Sequence, residues 1–172
     1  GILIMYAHGY KHTQDIPLRL PDDEFALITL NGLEIDDLLV SLGFAFATTS
    51  YSKNGWAVGV AENDLNALLA YTAEGLRPGQ LGGVLLIGAS EGGRIVTQQL
   101  EKYPQYYHGA LALCGPVDGG LRQTRYMADF MAVFNAYYPG VFPFGGAGPP
   151  EDPTSAWPGY EAGITGAIAS SP

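Results

Sequence analysis

The sequence predicts an α/β fold, a mostly parallel sheet with helices on both faces. Four short apolar runs bounded by glycine have the nearly continuous hydrophobic character of strands that are buried on both faces. Helical patterns alternate with these runs through short links, as in right-handed βαβ units. The length of 172 residues is enough for one compact core.

The individual elements follow from the spacing of apolar residues and from the stop signals between them. Strands are expected at residues 2–7, 44–49, 84–87 and 110–113. Helices are expected between the strands at residues 33–42, 62–74 and 91–103. Gly43, Gly75 and Pro104 provide the helix stops, because glycine ends helices readily and proline cannot continue them.

The pattern changes after the fourth strand. A long helix with an aromatic stripe is predicted at residues 121–138, an irregular loop rich in proline and glycine at 139–158, and a last helix at 160–169. We therefore divide the chain into a core at residues 1–120 and a helical, Pro/Gly-rich segment that resembles a lid at residues 121–172.

The composition excludes several classes of function. Acidic residues outnumber basic ones 17 to 8, and the net charge of −9 repels nucleic acids and anionic membrane surfaces. The longest apolar runs are far shorter than the ~20 residues of a membrane-spanning helix. A single cysteine, Cys114, excludes an internal disulfide, and the three histidines have no ligand spacing, so no metal is expected. Low lysine content with 24 glycines and 12 prolines favours a secreted or periplasmic location over a cytoplasmic one.

The motif that carries chemistry lies where the third strand meets a helix. Residues 88–93 are Gly-Ala-Ser-Glu-Gly-Gly, which matches the Gly-x-Ser-x-Gly turn that places a serine at the tip of a strand. The glycines are needed because side chains at their positions would collide with the neighbouring backbone. Because a strand pattern precedes the motif and a helix pattern follows it, Ser90 is the predicted nucleophile.

A serine nucleophile also needs donors that stabilise an oxyanion. Glu91 supplies the backbone N–H directly after Ser90, at a helix start whose dipole favours negative charge. The first strand ends in Ala-His-Gly-Tyr at residues 7–10, and we expect the amide of Tyr10 to be the second donor. His8 is interpreted first as a buried turn residue with a satisfied imidazole, and second as a residue of the pocket.

These features together resemble the α/β-hydrolases, in particular serine esterases and prolyl-oligopeptidase-like enzymes. The resemblance spans residues 1–118 and rests on four stretches, at 6–9, 43–51 with 54–56, 88–93 and 109–116. It implies a truncated α/β-hydrolase fold with a nucleophile elbow at Ser90, and hydrolysis of a small-molecule carboxylic ester through an acyl-enzyme. It implies no cofactor. A serine peptidase is an alternative, because the same machinery cleaves amides.

The chain departs from that family in its histidines. The family orders its triad as serine, acid and histidine along the chain, and only His108 follows Ser90. His108 enters the fourth strand at the end opposite the active-site edge, so we expect a structural role. His12 follows the first strand and would reverse the chain order. The catalytic histidine is therefore expected outside this chain.

The remaining site residues each have two interpretations. Asp118 follows the fourth strand and is the candidate acid, although an aspartate that caps the next helix is the more ordinary interpretation. The Glu91 side chain either touches a substrate or belongs to a first helical turn. Trp56 and Tyr51 either line the pocket or pack in a loop.

In the family that this chain resembles, the catalytic histidine follows further strands of the sheet, so its absence here also affects the expected extent of the sheet. We expect the chain to hold the central part of a larger sheet, with an exposed edge at residues 110–113 or a second chain or fragment covering it. The alternative to an esterase is a catalytically silent or incomplete domain that acts by binding or is completed by a partner chain.

Overall fold

The computed structural model describes residues 1–13, 18, 29–30, 33–75, 79–141 and 153–170, and the structural statements that follow concern those residues. The chain divides into two compact units, Gly1–Val117 and Asp118–Pro172. Each unit is described by itself.

The first unit contains six strands in two sheets. In chain order they are β1 (Ile2–Ala7), β2 (Thr29–Leu30), β3 (Leu33–Glu34), β4 (Ala45–Thr48), β5 (Gly83–Ala89) and β6 (Gly109–Leu113). The main sheet is parallel throughout and has the order β4-β1-β5-β6, whereas β2 and β3 form a small antiparallel pair. A parallel sheet with helices around it confirms the predicted α/β class.

Three helices belong to this unit: α1 (Ile35–Ser41), α2 (Val58–Glu74) and α3 (Glu91–Lys102). A short 3-10 turn, Pro104–Tyr106, links α3 to β6. Helices α2 and α3 pack against each other and cover one face of the sheet. The core on that face contains buried residues of β1, β5 and both helices, namely Leu3, Met5, Leu65, Leu86, Ile95 and Val96.

Two sequence predictions for this unit are corrected by the structure. The helix expected at residues 33–42 starts later, because Leu33 and Glu34 pair with β2 before α1 begins at Ile35. The apolar runs at the predicted strands indicate burial on both faces. This is confirmed for β1, whose last five residues are buried, but it is wrong for β6. Strand β6 lies at the edge of the sheet, where its last four residues are exposed, as expected for residues 110–113 if nothing covers them.

The second unit contains the helices α4 (Gly120–Tyr137) and α5 (Pro153–Ala169). The ring of Phe134 contacts the rings of Phe130 and Tyr138, whose centroids lie 5.9 and 4.8 Å away. Among the described residues of α4, Phe134 is the buried one. The irregular loop predicted at residues 139–158 is wrong for its last part, because α5 begins at Pro153 and continues through Pro158. Proline suits a first helical position, where its missing N–H costs nothing. Residues 142–152 of that predicted loop lie outside the described residues.

Neither unit has a helix that combines the length and the apolar character needed to cross a membrane, as far as the described residues extend.

Candidate functional site

Ser90 lies between the end of β5 and the start of α3. Its backbone has φ 56° and ψ −122°, a region that residues with a side chain rarely occupy and that costs about 1–3 kcal/mol. Backbone hydrogen bonds hold it there: the Ser90 N–H donates to the Leu113 carbonyl at 2.9 Å, and the Ser90 carbonyl accepts from the N–H groups of Gly93 at 3.0 Å and Arg94 at 3.4 Å. The side chain of Ser90 is exposed at the carboxyl edge of the parallel sheet.

The glycines on either side of Ser90 allow α3 to approach the sheet closely. A Cβ at Gly88 would lie 2.5 Å from the Gly92 carbonyl oxygen, and a Cβ at Gly92 would lie 1.9 Å from the Ala7 carbonyl oxygen. Both distances are far below ordinary contact, and both involve backbone that cannot move aside. The predicted steric need for glycine at these two positions is therefore confirmed.

The side chain of Glu91 is buried and contacts the beginning of α2. Its Oε1 accepts a hydrogen bond from the N–H of Ala57, the residue before α2 begins, and its Oε2 is buried with no hydrogen-bond partner among the described residues. Burial raises the pKa of Glu91, while the N–H groups of Ala57 and Val58 and then the charge of Lys53 act in the opposite direction. The Glu91 backbone N–H lies in the first turn of α3, where no intrahelical acceptor exists.

His8 is buried directly after β1 and stacks on Tyr51, with ring centroids 4.0 Å apart. Its Nδ1 lies 2.6 Å from the Gly9 carbonyl oxygen and donates to it, whereas Nε2 is buried and has no hydrogen-bond partner within the described part of the chain. Burial lowers the pKa of His8, although the carbonyl groups of Gly9 and Ser50 partly offset this effect. The expected satisfied imidazole is thus correct for one ring nitrogen only.

Tyr51 completes this buried cluster beneath the edge of the sheet. It has φ 57°, and its hydroxyl donates to the His8 carbonyl oxygen at 3.3 Å. Burial raises the pKa of Tyr51, and the nearby carboxylate of Glu91 adds to the shift. Of the two interpretations of Tyr51, packing is the one that the structure supports.

The loop after β1 lies beside Ser90. A Cβ at Gly9 would lie 3.5 Å from the Cβ of Ser90, which places the backbone before Tyr10 in contact with the serine. The Tyr10 side chain itself is exposed. One residue later, the Lys11 carbonyl accepts a hydrogen bond from the Gly55 N–H at 2.8 Å, so the loops after β1 and β4 are joined.

His108 lies at the opposite end of the sheet from Ser90, as the sequence predicts. Its Nδ1 accepts a hydrogen bond from the Val84 N–H at 3.2 Å, near the start of β5. Ser90 comes six residues after Val84 along the chain. Six steps of an extended strand place the Cα atoms of these two residues ~20 Å apart.

Asp118 belongs to the second unit. Its Oδ2 accepts a hydrogen bond from the Arg122 guanidinium at 2.8 Å, and both side chains are exposed. The interpretation of Asp118 as a helix cap is wrong, because the residue that precedes α4 is Gly119 and no side chain caps the helix.

The comparisons with known proteins give no identification, since no protein family, curated protein or solved structure matches this chain. Within the part of the chain that the structure describes, no group of three or more His, Cys, Asp or Glu side chains is arranged to hold a metal ion.

The arrangement at this edge has a definite chemical capacity. It presents an exposed hydroxyl on a strained backbone, directly before the N-terminus of the twelve-residue helix α3. First-turn N–H groups and the helix dipole stabilise negative charge at such a position. The sequence identified Ser90, Gly88 and Gly92, but the Glu91–Ala57 contact and the His8–Tyr51 stack have no local signal, because each joins residues more than 30 positions apart.

Proposed function

We propose that this chain contains the nucleophile region of a serine hydrolase that cleaves small-molecule carboxylic esters through an acyl-enzyme on Ser90. The observation that carries the proposal is the backbone of Ser90, with φ 56° and ψ −122° at the junction of β5 and α3. A chain that had no use for this geometry could relieve the strain by placing glycine there. The strained turn, its exposed hydroxyl and its close-packed glycines are what a nucleophile elbow of the α/β-hydrolase type requires.

The proposed oxyanion hole consists of the backbone N–H groups of Glu91 and Tyr10. Glu91 supports this role through its place in the first turn of α3, and Tyr10 through the contact of the preceding Gly9 with Ser90. Two such donors stabilise the negative oxygen of a tetrahedral intermediate, and removing one donor typically reduces kcat by about 100- to 1000-fold.

The base in this proposal comes from outside the chain. His8 donates a hydrogen bond to the Gly9 carbonyl, and His108 accepts one from the Val84 N–H. His108 also lies at the far end of the sheet from Ser90. Among the described residues, neither of these two histidines is hydrogen-bonded to the Ser90 hydroxyl. A histidine from a further segment or a second chain would take the proton of Ser90, and Asp118 is proposed as the acid because it follows β6.

The experiment supplies the missing base as free imidazole and follows an acetyl ester, with release of the alcohol as the readout. The wild-type chain should release alcohol in a burst stoichiometric with protein, because the acyl-enzyme forms faster than it is hydrolysed. Ser90→Ala, measured with the same imidazole, gives the uncatalysed background, and Ser52→Ala controls for another exposed serine. A wild-type burst no larger than that of Ser90→Ala would refute the hydrolase and leave a domain that acts by binding.

The same assay separates an esterase from a peptidase. An acetyl anilide tests amide cleavage, and our proposal expects the ester to react far faster than the anilide. Equal rates of ester and anilide cleavage by the wild-type chain would instead support a peptidase.

A further inference from the structure

Trp56 lies in a loop whose backbone is fixed on both sides. On one side, the Gly55 N–H donates to the Lys11 carbonyl at 2.8 Å. Gly55 has φ +78°, and a Cβ there would lie 2.8 Å from the Cγ2 of Thr13, so both the conformation and the space require glycine. The loop is thereby attached to the segment that follows Tyr10.

On the other side, the Ala57 N–H donates to the carboxylate of Glu91. This contact is buried, and Ala57 itself is 2% exposed. Buried hydrogen bonds to an ionisable group are stronger than neutral ones and constrain both partners. Both backbone neighbours of Trp56 are thus bound to the segments that contain the proposed oxyanion donors.

Trp56 is 46% exposed although Gly55 and Ala57 are both buried. A tryptophan that packed into the core would remove most of its large apolar surface from water, and here part of that stabilisation is lost. A loop whose backbone is already anchored loses less conformational entropy when its aromatic residue binds a ligand.

The hydrogen bond between Ala57 and Glu91 limits the separation of Trp56 from Ser90. Summed along the path from Ser90 through Glu91 to Ala57, standard bond lengths and hydrogen-bond distances give at most about 14 Å between the Cα atoms of Trp56 and Ser90. This upper bound is compatible with one ligand in contact with both residues.

We propose that Trp56 is a specificity-determining residue that stacks on a flat aromatic group of the substrate, and that Glu91 is the positioning residue that holds it. The inference rests on the proposed function, because the stacked group belongs to the ester that Ser90 would cleave. Aromatic rings favour offset or edge-to-face contact with centroids roughly 4.5–7 Å apart, which an exposed indole on an anchored backbone allows.

The test measures binding without catalysis, in a chain that carries Ser90→Ala and Trp157→Phe. Trp56 is then the sole tryptophan, since the chain has two. Titration with methyl benzoate or phenyl acetate places the ring on the acyl or the alcohol side, and methyl cyclohexanecarboxylate is the aliphatic control. At least one aromatic ester should change the Trp56 fluorescence saturably and bind about tenfold more tightly than the control.

A second arm uses calorimetry to compare substitutions of two exposed aromatic residues. Trp56→Leu should weaken binding of the aromatic ester about tenfold, whereas Tyr71→Leu on the exposed face of α2 should leave it unchanged. Equal affinity of the Trp56→Leu chain and its parent, or no binding of either aromatic ester, would overturn the proposal. Because Ser90→Ala is used throughout, these results do not depend on whether Ser90 is a nucleophile.

The positioning role of Glu91 has its own readout, the fluorescence anisotropy decay of Trp56. Glu91→Ala should speed the local motion of the indole, and Glu91→Gln, which keeps an acceptor for the Ala57 N–H, should restore the slow decay. Identical decays in all three chains would refute the positioning role. Circular dichroism of each variant checks that the fold is retained, and Glu91→Gln provides the comparison if Glu91→Ala does not fold.

Discussion

Ser90 combines an unfavourable backbone conformation with an exposed side chain, and on this combination we base the proposal that its hydroxyl reacts. At a buried serine, packing of the side chain could offset the strain of φ 56°. The side chain of Ser90 is exposed, so it gains no stabilisation from packing. The strain is maintained by the hydrogen bonds of its own backbone to β6 and to the first turn of α3. We therefore expect stability at this position to have been sacrificed for the orientation of the hydroxyl.

The strain at Ser90 predicts different stabilities for two small replacements. Ser90→Gly should stabilise the fold by about 1 kcal/mol relative to Ser90→Ala, because glycine occupies positive φ without a steric cost. Urea unfolding of the two variants measures the difference. Equal midpoints for glycine and alanine would show that the backbone at this position is not strained.

Some of the site residues can be found from sequence and others cannot, for a physical reason. Ser90, Gly88 and Gly92 belong to one short turn, so their steric relation is encoded locally. The Tyr51 hydroxyl and the His8 carbonyl are 43 positions apart, and Glu91 and Ala57 are 34 apart. Such contacts depend on how β4 and α2 are placed by the whole sheet, and no spacing rule shows them.

At the scale of elements, the approach of α3 to β1 depends on Gly92. Gly92→Ala should destabilise the fold by more than ~3 kcal/mol or prevent folding, because its Cβ would overlap the Ala7 carbonyl. Gly59→Ala in α2 is the matched control, since its Cβ meets nothing within 4 Å, and it should stabilise by up to about 1 kcal/mol. Thermal unfolding monitored by circular dichroism compares the two. A Gly92→Ala chain as stable as wild type would contradict the close approach.

Glu62 connects α2 to α3 through a cluster of polar groups. Its carboxylate accepts hydrogen bonds from Lys102, from Gln98 at 3.0 Å and from the Tyr103 hydroxyl at 2.6 Å. The hydrogen bonds from Lys102 and then Tyr103 lower the pKa of Glu62 to about 2. Its side chain is 16% exposed, so water competes with these bonds only in part.

This lowered pKa predicts an acid-dependent loss of stability. Because the folded pKa lies below the unfolded value of about 4.3, Glu62 stabilises the fold fully above pH 4.3 and loses this contribution as the pH falls towards 2. Glu62→Gln should be less stable than wild type at pH 7, and the two should converge near pH 2. Glu101→Gln, at an exposed position of α3, should follow the wild-type curve. Parallel curves for Glu62→Gln and wild type across this range would refute the prediction.

The elements themselves were predicted best where the signal is local. The sequence predicts β1 with its observed bounds, because a continuous run of apolar residues indicates a buried strand. Five of the six residues of β1 are indeed buried. Helix α2 begins at Val58 rather than Glu62, and the carboxylate of Glu91, distant in sequence, accepts a hydrogen bond from the N–H of Ala57 directly before the helix. A hydrogen-bond acceptor that comes from another element leaves no start signal in the sequence before the helix.

At the scale of the whole molecule, the main sheet ends in β6 on the side away from β4. Within the described part of the chain, no strand pairs with the outer edge of β6, and Leu111 is 49% exposed on it. An unprotected edge with exposed leucines is a site for further strand pairing. The resemblance to a larger α/β-hydrolase sheet leads us to expect this edge, but the apolar run of residues 110–113 predicts burial of both faces, and these residues are exposed instead.

The exposed edge predicts self-association that a single charge reduces. Leu111→Lys should lower the association measured by light scattering at high protein concentration, because a lysine at an edge opposes strand pairing. Leu42→Lys, a matched change at an exposed position after α1, should not lower it. If both variants associate like wild type, the β6 edge is not the surface involved.

Activation of the Ser90 hydroxyl is the central claim, and intact-mass spectrometry after treatment with a fluorophosphonate tests it most directly. With imidazole as the external base, we predict one adduct per chain, located by peptide mapping at Ser90 and absent from Ser90→Ala. Adducts spread over exposed serines such as Ser52, or no adduct at all, would contradict the account.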